Sequence, residues 1–344
     1  MKQFFSALAI LPFLTIQGFS QTPAAPAAPA APPVATGPEM PTGMLIFKDQ
    51  PAEKIFLIAG AIAQVRYKET AQAIDTKDIN LSEVERLYIF EPKIYRDAME
   101  LYQARKYAEA KDLFAQSKTA YKSLASLPNN YSTLGSFYEL ECMRRLGDLE
   151  GLAKSLEGFR KEGLTREHQL RQLEIYVFWD AVRTKSWERL VALGKERLQE
   201  KLPSYQRAQV AFCVAQAYEA LKNESAALNT YNIAMLADAG ATEEITEQSA
   251  QAIMRIHLAN PGVQLAMKLW GTPDENKSSS GYLHLQEAGA VAALYQFTLG
   301  GGKALPSQFN LLLKYKPDVA KPDPADPKPD DKKPDEKKPT GKGK

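Results

Sequence analysis

The amino-acid sequence predicts a mostly α-helical protein, in which helix pairs stack as an α–α superhelix (a solenoid) behind a small β-rich N-terminal segment. From Glu91 to about residue 320, apolar residues recur at intervals of three and four, which is typical of amphipathic helices. Pro and Gly in this region stand mainly at breaks, and the breaks separate helices that come in pairs. Residues 44–90 are instead rich in β-branched and aromatic residues.

Residues 1–20 have the pattern of a secretory signal peptide. Lys2 precedes an apolar run over Phe4–Ile16, and the small residue Gly18 follows it near a possible cleavage point. The alternative is a retained N-terminal anchor, although the run is too short for a stable membrane span. The sequence therefore predicts export, and a mature protein that does not span a membrane.

Two segments of biased composition flank the central region. Residues 21–43 are dense in Pro and Ala, which predicts a stiff, polyproline-like linker. Residues 316–344 hold seven Pro, nine Lys and seven acidic residues, a composition that predicts a disordered tail. The excess of lysine over acid in this tail equals the formal net charge of +2 of the whole chain, so the remainder is balanced. This balance argues against a nucleic-acid partner, which a basic folded region would favour.

The β-rich segment, residues 44–90, predicts two to four short strands in a small sheet. Its apolar runs are separated by polar, turn-prone stretches such as 74–78, and residues 63–67 partly alternate between apolar and polar. An apolar helix over 54–65 is the alternative, because periodicity does not separate the two for a short run.

Two segments of the helical region share one order of small and aromatic residues. In 209–235, Ala215 and Tyr218 occupy the first helix, a corner follows at 222–223, and small and aromatic residues line the second helix. In 95–114 the corner lies at 105–107. Small residues at fixed places allow two helices to approach closely, and an aromatic ring fills the space opposite.

This pattern resembles the tetratricopeptide repeat. The match is good at 209–235, fair at 94–117 and partial at 136–159; it is weak at 174–197, and 243–270 shares only the layout. Corners fall at 105, 147, 185 and 222, with spacings of 42, 38 and 37 residues, longer than the standard unit of about 34. The resemblance implies repeats over 91–270, closed by capping helices within 271–315. A generic helical bundle is the alternative.

The resemblance also implies a binding groove lined by the first helix of each pair. Family positions at spacings of four and then three give three residues in each of four units. The implied groove residues are Tyr95, Met99, Tyr102, Phe137, Glu141, Arg144, Ile175, Trp179, Arg183, Phe212, Gln216 and Glu219. Aromatic and Arg side chains recur among them, and these types dominate the energetics of protein interfaces.

The sequence offers little for catalysis or for a metal. His168, His257 and His284 are far apart in the sequence and fit no metal-binding motif, so they are interpreted as surface or packing residues. Cys142 and Cys213 lie two repeats apart, which favours buried free thiols over a disulfide. We therefore expect no enzyme activity, no cofactor and no metal site.

The favoured function is that of a non-enzymatic scaffold, exported to the periplasm or outer envelope of a Gram-negative bacterium, that binds a segment of a partner protein in its groove. This interpretation follows the resemblance to exported tetratricopeptide proteins. One alternative is a structural protein associated with glycan or peptidoglycan, in which the Lys-rich tail contacts anionic cell-wall polymers. A second alternative is an exported hydrolase on an α-solenoid.

Overall fold

A computed structural model describes residues 39–317 of the chain. The predicted signal peptide, nearly all of the Pro/Ala-rich linker and nearly all of the Lys-rich tail lie outside these residues. Within the described range the protein is mostly helical and begins with a small antiparallel sheet, as the sequence predicts at that level of detail.

The sheet has five strands in the order β4-β3-β2-β1-β5, all of them paired antiparallel. The prediction of two to four strands was therefore too low, because the short polar strand β4 carries no apolar pattern. The alternative of a helix over 54–65 is wrong, since this run forms β2 and the start of β3. The strands are β1 (Thr42–Ile46), β2 (Glu53–Gly60), β3 (Gln64–Lys68), β4 (Lys77–Asn80) and β5 (Arg86–Ile89).

One face of the sheet is packed and the other faces outward, as period-two alternation requires. Ile55 and Leu57 on β2, and Val65 and Tyr67 on β3, are buried on the same side. The segment that follows the second helix covers this face, and its Leu127 contacts the sheet so closely that a Cβ at Gly60 would meet it at 2.4 Å. The sheet is therefore anchored directly on the helical part of the chain.

Eleven α-helices follow the sheet within residues 39–317, and most are separated from the next by only a few residues. Because such short connections reverse the chain, sequential helices pack against each other. Contacts are most extensive between α7 and α8, between α2 and α3, and between α1 and α2. The helices are α1 (Lys93–Gln103), α2 (Tyr107–Ala120), α3 (Tyr131–Leu146), α4 (Leu149–Glu157), α5 (Glu167–Arg183), α6 (Trp187–Arg197), α7 (Ser204–Ala220), α8 (Glu224–Ala237), α9 (Glu243–Ala259), α10 (Pro261–Leu269) and α11 (Ser280–Leu294).

The four predicted corners all have left-handed backbone geometry. Arg105, Gly147, Lys185 and Lys222 have φ values of 62°, 74°, 54° and 62°. At each of them the amide of the next residue donates to a carbonyl five residues earlier, for example Asp148 N to Met143 O at 2.9 Å. This is the Schellman arrangement, which satisfies the last carbonyls of a helix. The corners therefore end α1, α3, α5 and α7 in one common way.

Two of these corners also begin the next helix with a side-chain cap. The carboxylate of Asp148 accepts the Gly151 amide at 2.9 Å, and the amide oxygen of Asn223 accepts the Ala226 amide at 3.2 Å. Such N-caps satisfy amides that have no partner inside the helix. The chain therefore reverses with two residues between α3 and α4 and three between α7 and α8.

The C-terminal part of the described chain packs against α11. After Leu294 the helix continues for one π-helical turn, Tyr295–Leu299, and a 3-10 helix then spans Ser307–Tyr315. This last segment packs on α11 at Gly289, where a Cβ would lie 2.6 Å from the backbone of Tyr315. The helices expected between 271 and 315 are thus present, the final one with 3-10 geometry.

Both cysteines are buried and free, as the sequence predicts. Burial raises the pKa of Cys142 to about 12 and raises that of Cys213 further, so both groups stay protonated thiols. Among residues 39–317, none of the helices combines the length and the apolar character that a membrane span would need.

Candidate functional site

Most of the twelve predicted groove residues are buried in the free chain. A buried side chain cannot contact a partner unless the surrounding helices move apart. Of the predicted groove residues, only the partly exposed ones are therefore accessible to a partner in this structure. The seven buried residues are Tyr95, Phe137, Glu141, Arg144, Ile175, Trp179 and Phe212. The five partly exposed residues are Met99, Tyr102, Arg183, Gln216 and Glu219.

Glu141 and Arg144 form a buried ion pair on α3. The guanidinium donates to both carboxylate oxygens at 3.2 and 3.1 Å, and Tyr176 on α5 donates its hydroxyl to the same carboxylate at 2.6 Å. The Arg144 guanidinium also lies over the ring of Trp179, 5.7 Å from its centroid. Charges buried in this way need such partners, since an unpaired one would cost several kcal/mol.

The start of α9 completes this cluster from far along the chain. Glu244 accepts from Arg144 and from Arg145, each at 3.0 Å, across about a hundred residues of sequence. Arg145 in turn donates to the hydroxyl of Tyr102 at 2.9 Å. The side chains of the first, second and third helix pairs therefore meet the fifth pair at one point.

The charges in this cluster set the protonation of its members. Burial by itself raises the pKa of Glu141, but the two arginines and the Tyr176 hydroxyl more than offset this, and the net pKa is lowered. Burial, together with the nearby Glu141 carboxylate, raises the pKa of Tyr176 well above its usual value. The Glu141 carboxylate is therefore ionised and the Tyr176 phenol is neutral. A neutral phenol that donates a hydrogen bond to an ionised carboxylate is typical of a contact that stabilises the fold.

A cleft of about 500 Å³ lies between α7 and α9 and contains the predicted residues of the fourth unit. Phe212 and Gln216 of α7 form one wall, and Gln248 and Gln251 of α9 face them. We call this cavity the α7–α9 cleft. Its lining residues are Trp187, Phe212, Gln216, Glu219, Ala220, Lys222, Tyr231, Gln248, Gln251, Ala252, Arg255, Gln308 and Phe309.

The charged groups of the α7–α9 cleft neutralise each other. Arg255 on α9 makes two hydrogen bonds to the carboxylate of Glu219 on α7, one of them at 3.0 Å. The hydroxyl of Tyr231 on α8 donates to the same carboxylate at 2.9 Å. Burial raises the pKa of Glu219, but these bonds lower it by more, so the group is ionised. The pair fixes α7 against α9 at one end of the cleft.

A smaller cavity of about 180 Å³ shares Phe212, Gln216 and Gln248 with the α7–α9 cleft. Arg144 and Trp179 line its other side. Four of the predicted groove residues, from three different helices, therefore line this one cavity. Two of them, Arg144 and Trp179, are largely occupied by the buried cluster.

The remaining predicted residues lie elsewhere. Tyr95 and Met99 line a separate cavity of about 350 Å³ near the start of α1. Phe137 and Ile175 are part of the hydrophobic cores. Arg183, at the end of α5, forms ion pairs with Asp180 at 2.9 Å and Glu150 at 3.2 Å. The structure thus does not join all four units into one continuous surface.

Sequence reasoning missed the contribution of α9. Gln248, Gln251 and Arg255 are spaced three and four apart, so they share one face of the helix, and this face lines the cleft. The segment 243–270 matched the repeat only in layout, and no groove residue was assigned to it. The spacing of these polar residues was the available signal.

The α7–α9 cleft combines side-chain amides with aromatic rings. A glutamine amide has two N–H donors and one oxygen acceptor, so Gln216, Gln248 and Gln308 can pair with many polar groups. The nitrogen of Gln251 already donates to Glu247 at 3.2 Å and to the Tyr295 hydroxyl at 3.1 Å, which leaves its oxygen for a ligand. The ring of Phe212, which is mostly buried, lies beneath them. This lining suits a ligand with a regular polar backbone and apolar groups along it.

The fold and the cleft together define a mostly helical protein with a small antiparallel sheet and an amide-rich cleft between two of its helices. No protein-family model matches the chain, and neither a curated protein nor a solved structure matches it. The candidate site consequently stands on the geometry of this chain.

Proposed function

We propose that the protein is a non-enzymatic scaffold of the cell envelope that binds an extended segment of a partner protein in the α7–α9 cleft. The observation that carries the proposal is the lining of that cleft, in which glutamine amides from α7, α9 and the 3-10 helix stand beside aromatic rings. An extended peptide exposes N–H and C=O groups that need partners, and the amides supply both kinds.

The dimensions of the cleft support a peptide segment over a whole folded partner. A volume of about 500 Å³, extended by the neighbouring 180 Å³, matches the size typical of sites for a few residues. Gln216 and Glu219 of the predicted groove are partly exposed along it. Phe212 and Phe309 lie at the base of the cleft as buried core residues, 6% and 4% exposed, so they form its floor and offer little free apolar surface.

The finer fold proposal is a tetratricopeptide-like solenoid. It is supported by the four equivalent corners at a nearly constant spacing and by the first helices of consecutive pairs, α7 and α9, which face each other across the cleft. The proposed location, the periplasm or outer envelope, rests on the signal-peptide pattern of residues 1–20.

A glycan ligand is the second candidate, because aromatic rings beside amides also suit sugars, and the cleft has both. Under this proposal the protein would associate with peptidoglycan, and the Lys-rich segment 316–344 would add electrostatic contact with anionic polymers.

The test is site-specific photo-crosslinking in the native cell. A photoreactive amino acid at Gln216, inside the cleft, is expected to give a discrete protein adduct, whereas the same group at Leu236, which is 69% exposed on α8, gives none. Arg255→Ala is expected to reduce the Gln216 adduct, because it removes the partner of Glu219 at the wall of the cleft.

Equal adducts at both positions would contradict the proposal. If purified peptidoglycan fragments, and no protein, protect the Gln216 position from crosslinking, the glycan alternative is supported instead.

A further inference from the structure

Three metal-ligating side chains meet between α9 and α11. His257 lies in the last turn of α9, and His284 and Glu287 lie three residues apart on one face of α11. One ligand atom from each residue lies within 4.8 Å of the other two. The sequence does not reveal this group, because His257 is 27 residues from His284 and neither belongs to a known motif.

Two of the three distances in this cluster match those between ligands of one metal ion, and the third is no longer than 4.8 Å. Nε2 of His257 lies 3.4 Å from Oε2 of Glu287, and Nδ1 of His284 lies 3.5 Å from the same oxygen. Ligand bonds of about 2.0–2.1 Å at tetrahedral angles place two ligand atoms roughly 3.3 Å apart. The three groups therefore need little movement to share an ion.

The buried imidazole provides independent support. His257 is only 1% exposed, and its Nε2, which lies 3.4 Å from Oε2 of Glu287, makes no well-aligned hydrogen bond. Buried nitrogen atoms almost always have a partner, and an ion is one of the few explanations for an exception. This atom points at the Glu287 carboxylate, so its unused lone pair or proton faces the centre of the cluster.

The surroundings of Glu287 suit a ligand. Asn232 on α8 donates to the second carboxylate oxygen, Oε1, at 3.5 Å, and leaves Oε2 facing the imidazoles. Contacts of this kind, from a neighbour to a ligand, orient metal ligands in known sites.

We propose that His257, His284 and Glu287 bind one divalent transition-metal ion of the Zn²⁺ class. Two imidazoles and one carboxylate suit Zn²⁺, Ni²⁺ or Cu²⁺, whereas Mg²⁺ and Ca²⁺ prefer oxygen ligands alone. Three protein ligands leave a fourth position for water. His284 and Glu287 are partly exposed, so an ion reaches the site from solvent without unfolding.

The bound ion would connect α9 to α11. These helices already pack against each other, and α11 holds the last 3-10 helix of the described chain. Because an ion that binds only the folded state stabilises it, Zn²⁺ raises the melting temperature of the protein. This property is independent of the α7–α9 cleft and of any partner.

The experiment is titration of the chelator-treated full chain with Zn²⁺ by calorimetry, with Co²⁺ absorption as the report of ligand geometry. We expect one Zn²⁺ per chain and a visible Co²⁺ spectrum. His284→Ala and Glu287→Gln each weaken Zn²⁺ binding by more than about tenfold, since each removes a ligand. His168→Ala is the matched control, because His168 is exposed on α5, away from the cluster, and this variant binds as the wild type does.

A chain that binds no Zn²⁺ in calorimetry overturns the proposal. So does an equal loss of binding in His168→Ala, which would indicate scattered surface histidines. Circular dichroism of the His284→Ala and Glu287→Gln variants, both at partly exposed positions, shows whether the helices are retained and so separates loss of a ligand from loss of the fold.

Discussion

Gly147 is the one glycine among the four left-handed corners. It allows the effect of backbone conformation on stability to be measured separately from side-chain contacts. Its φ is 74°, while a Cβ at this position would meet nothing within 4 Å. A side chain there consequently meets no steric obstacle from neighbours, and only the left-handed conformation opposes it. The other three corners adopt the same conformation with residues that carry side chains, Arg105, Lys185 and Lys222. The fold therefore tolerates the free-energy cost of a left-handed residue at these corners.

Gly147→Ala is expected to lower the free energy of unfolding by about 1–2 kcal/mol, because an alanine in the left-handed region is strained. The matched control is Gly158→Ala, where a Cβ also meets nothing but φ is −99°. This control changes stability little. Chemical denaturation of the two variants makes the comparison, and equal effects would show that the corner conformation is not the cause.

Glu141 gives the protein a defined response to acid. Its pKa is lowered in the folded state, so its contribution to stability is complete above its usual pKa of 4.5 and is lost as the pH falls through the lowered value. Glu141→Gln at pH 7 is expected to cost about 3–5 kcal/mol, because it leaves Arg144 without its full partner.

The difference between Glu141→Gln and the wild type is expected to shrink as the pH falls below 4.5, because the carboxyl of the unfolded chain then binds a proton while the folded one still resists it. The difference is smallest below the lowered folded-state pKa, where the folded carboxyl is neutral too. Urea denaturation at a series of pH values measures it. Glu150→Gln is the control, since Glu150 is mostly exposed and its pair with Arg183 contributes little. A cost for Glu141→Gln that does not vary with pH would contradict this account.

At the scale of helices and strands, local patterns predicted well and distant contacts did not. The four corners were predicted correctly because the residues that favour a turn lie within a few positions of each other in the sequence. Strand β4 was missed because its sequence, Lys77–Asn80, is mostly polar and has little intrinsic preference for a strand. Its backbone pairing with β3 stabilises it as a strand.

The candidate site could be predicted only in part, for the same reason. Phe212 and Gln216 lie on one helix, and the resemblance to the tetratricopeptide repeat placed them in the groove from their spacing on that helix. The burial of Arg144 depends on Glu244, which is a hundred residues away, and the meeting of His257 with His284 depends on how α9 and α11 cross. One sequence carries no local pattern for either contact.

The attachment of the final 3-10 helix to α11 is tested at Gly289. Alanine in the middle of a helix normally stabilises it by about 1 kcal/mol relative to glycine. Here a Cβ would lie 2.6 Å from the backbone of Tyr315, so Gly289→Ala is expected to release the segment 307–315.

Hydrogen exchange of the amides in 307–315 measures this release. Leu283→Ala, at an exposed position on α11, is the control and leaves their exchange unchanged. Slower exchange of this segment in Gly289→Ala would mean that the close approach is easily relaxed.

At the scale of the whole molecule, the sheet and the helices share one hydrophobic cluster. Leu57 on β2 packs in the same cluster as Leu124 and Leu127, which follow α2, and Tyr131 at the start of α3 contacts both this cluster and the next one. Because the core continues from sheet to helices, we expect the two parts to unfold together.

Leu57→Ala is expected to cost about 2–5 kcal/mol and to lower the melting temperature recorded from the helical circular dichroism, although the residue lies in the sheet. Leu57 is 1% exposed, whereas Ile62 on the following turn is 85% exposed, so Ile62→Ala serves as the control. A helical transition unchanged by Leu57→Ala would show that the sheet folds separately.

The ion pair between Arg144 and Glu244 restricts where a helix pair can be inserted into the chain. An open array of repeats can gain or lose a unit anywhere, because each unit touches only its neighbours. Here the second pair is tied to the fifth, so one extra pair inserted between α4 and α9 would carry Glu244 away and leave a buried arginine without its counter-charge. We therefore expect an inserted helix pair inside this stretch to destabilise the fold more than one added at either end.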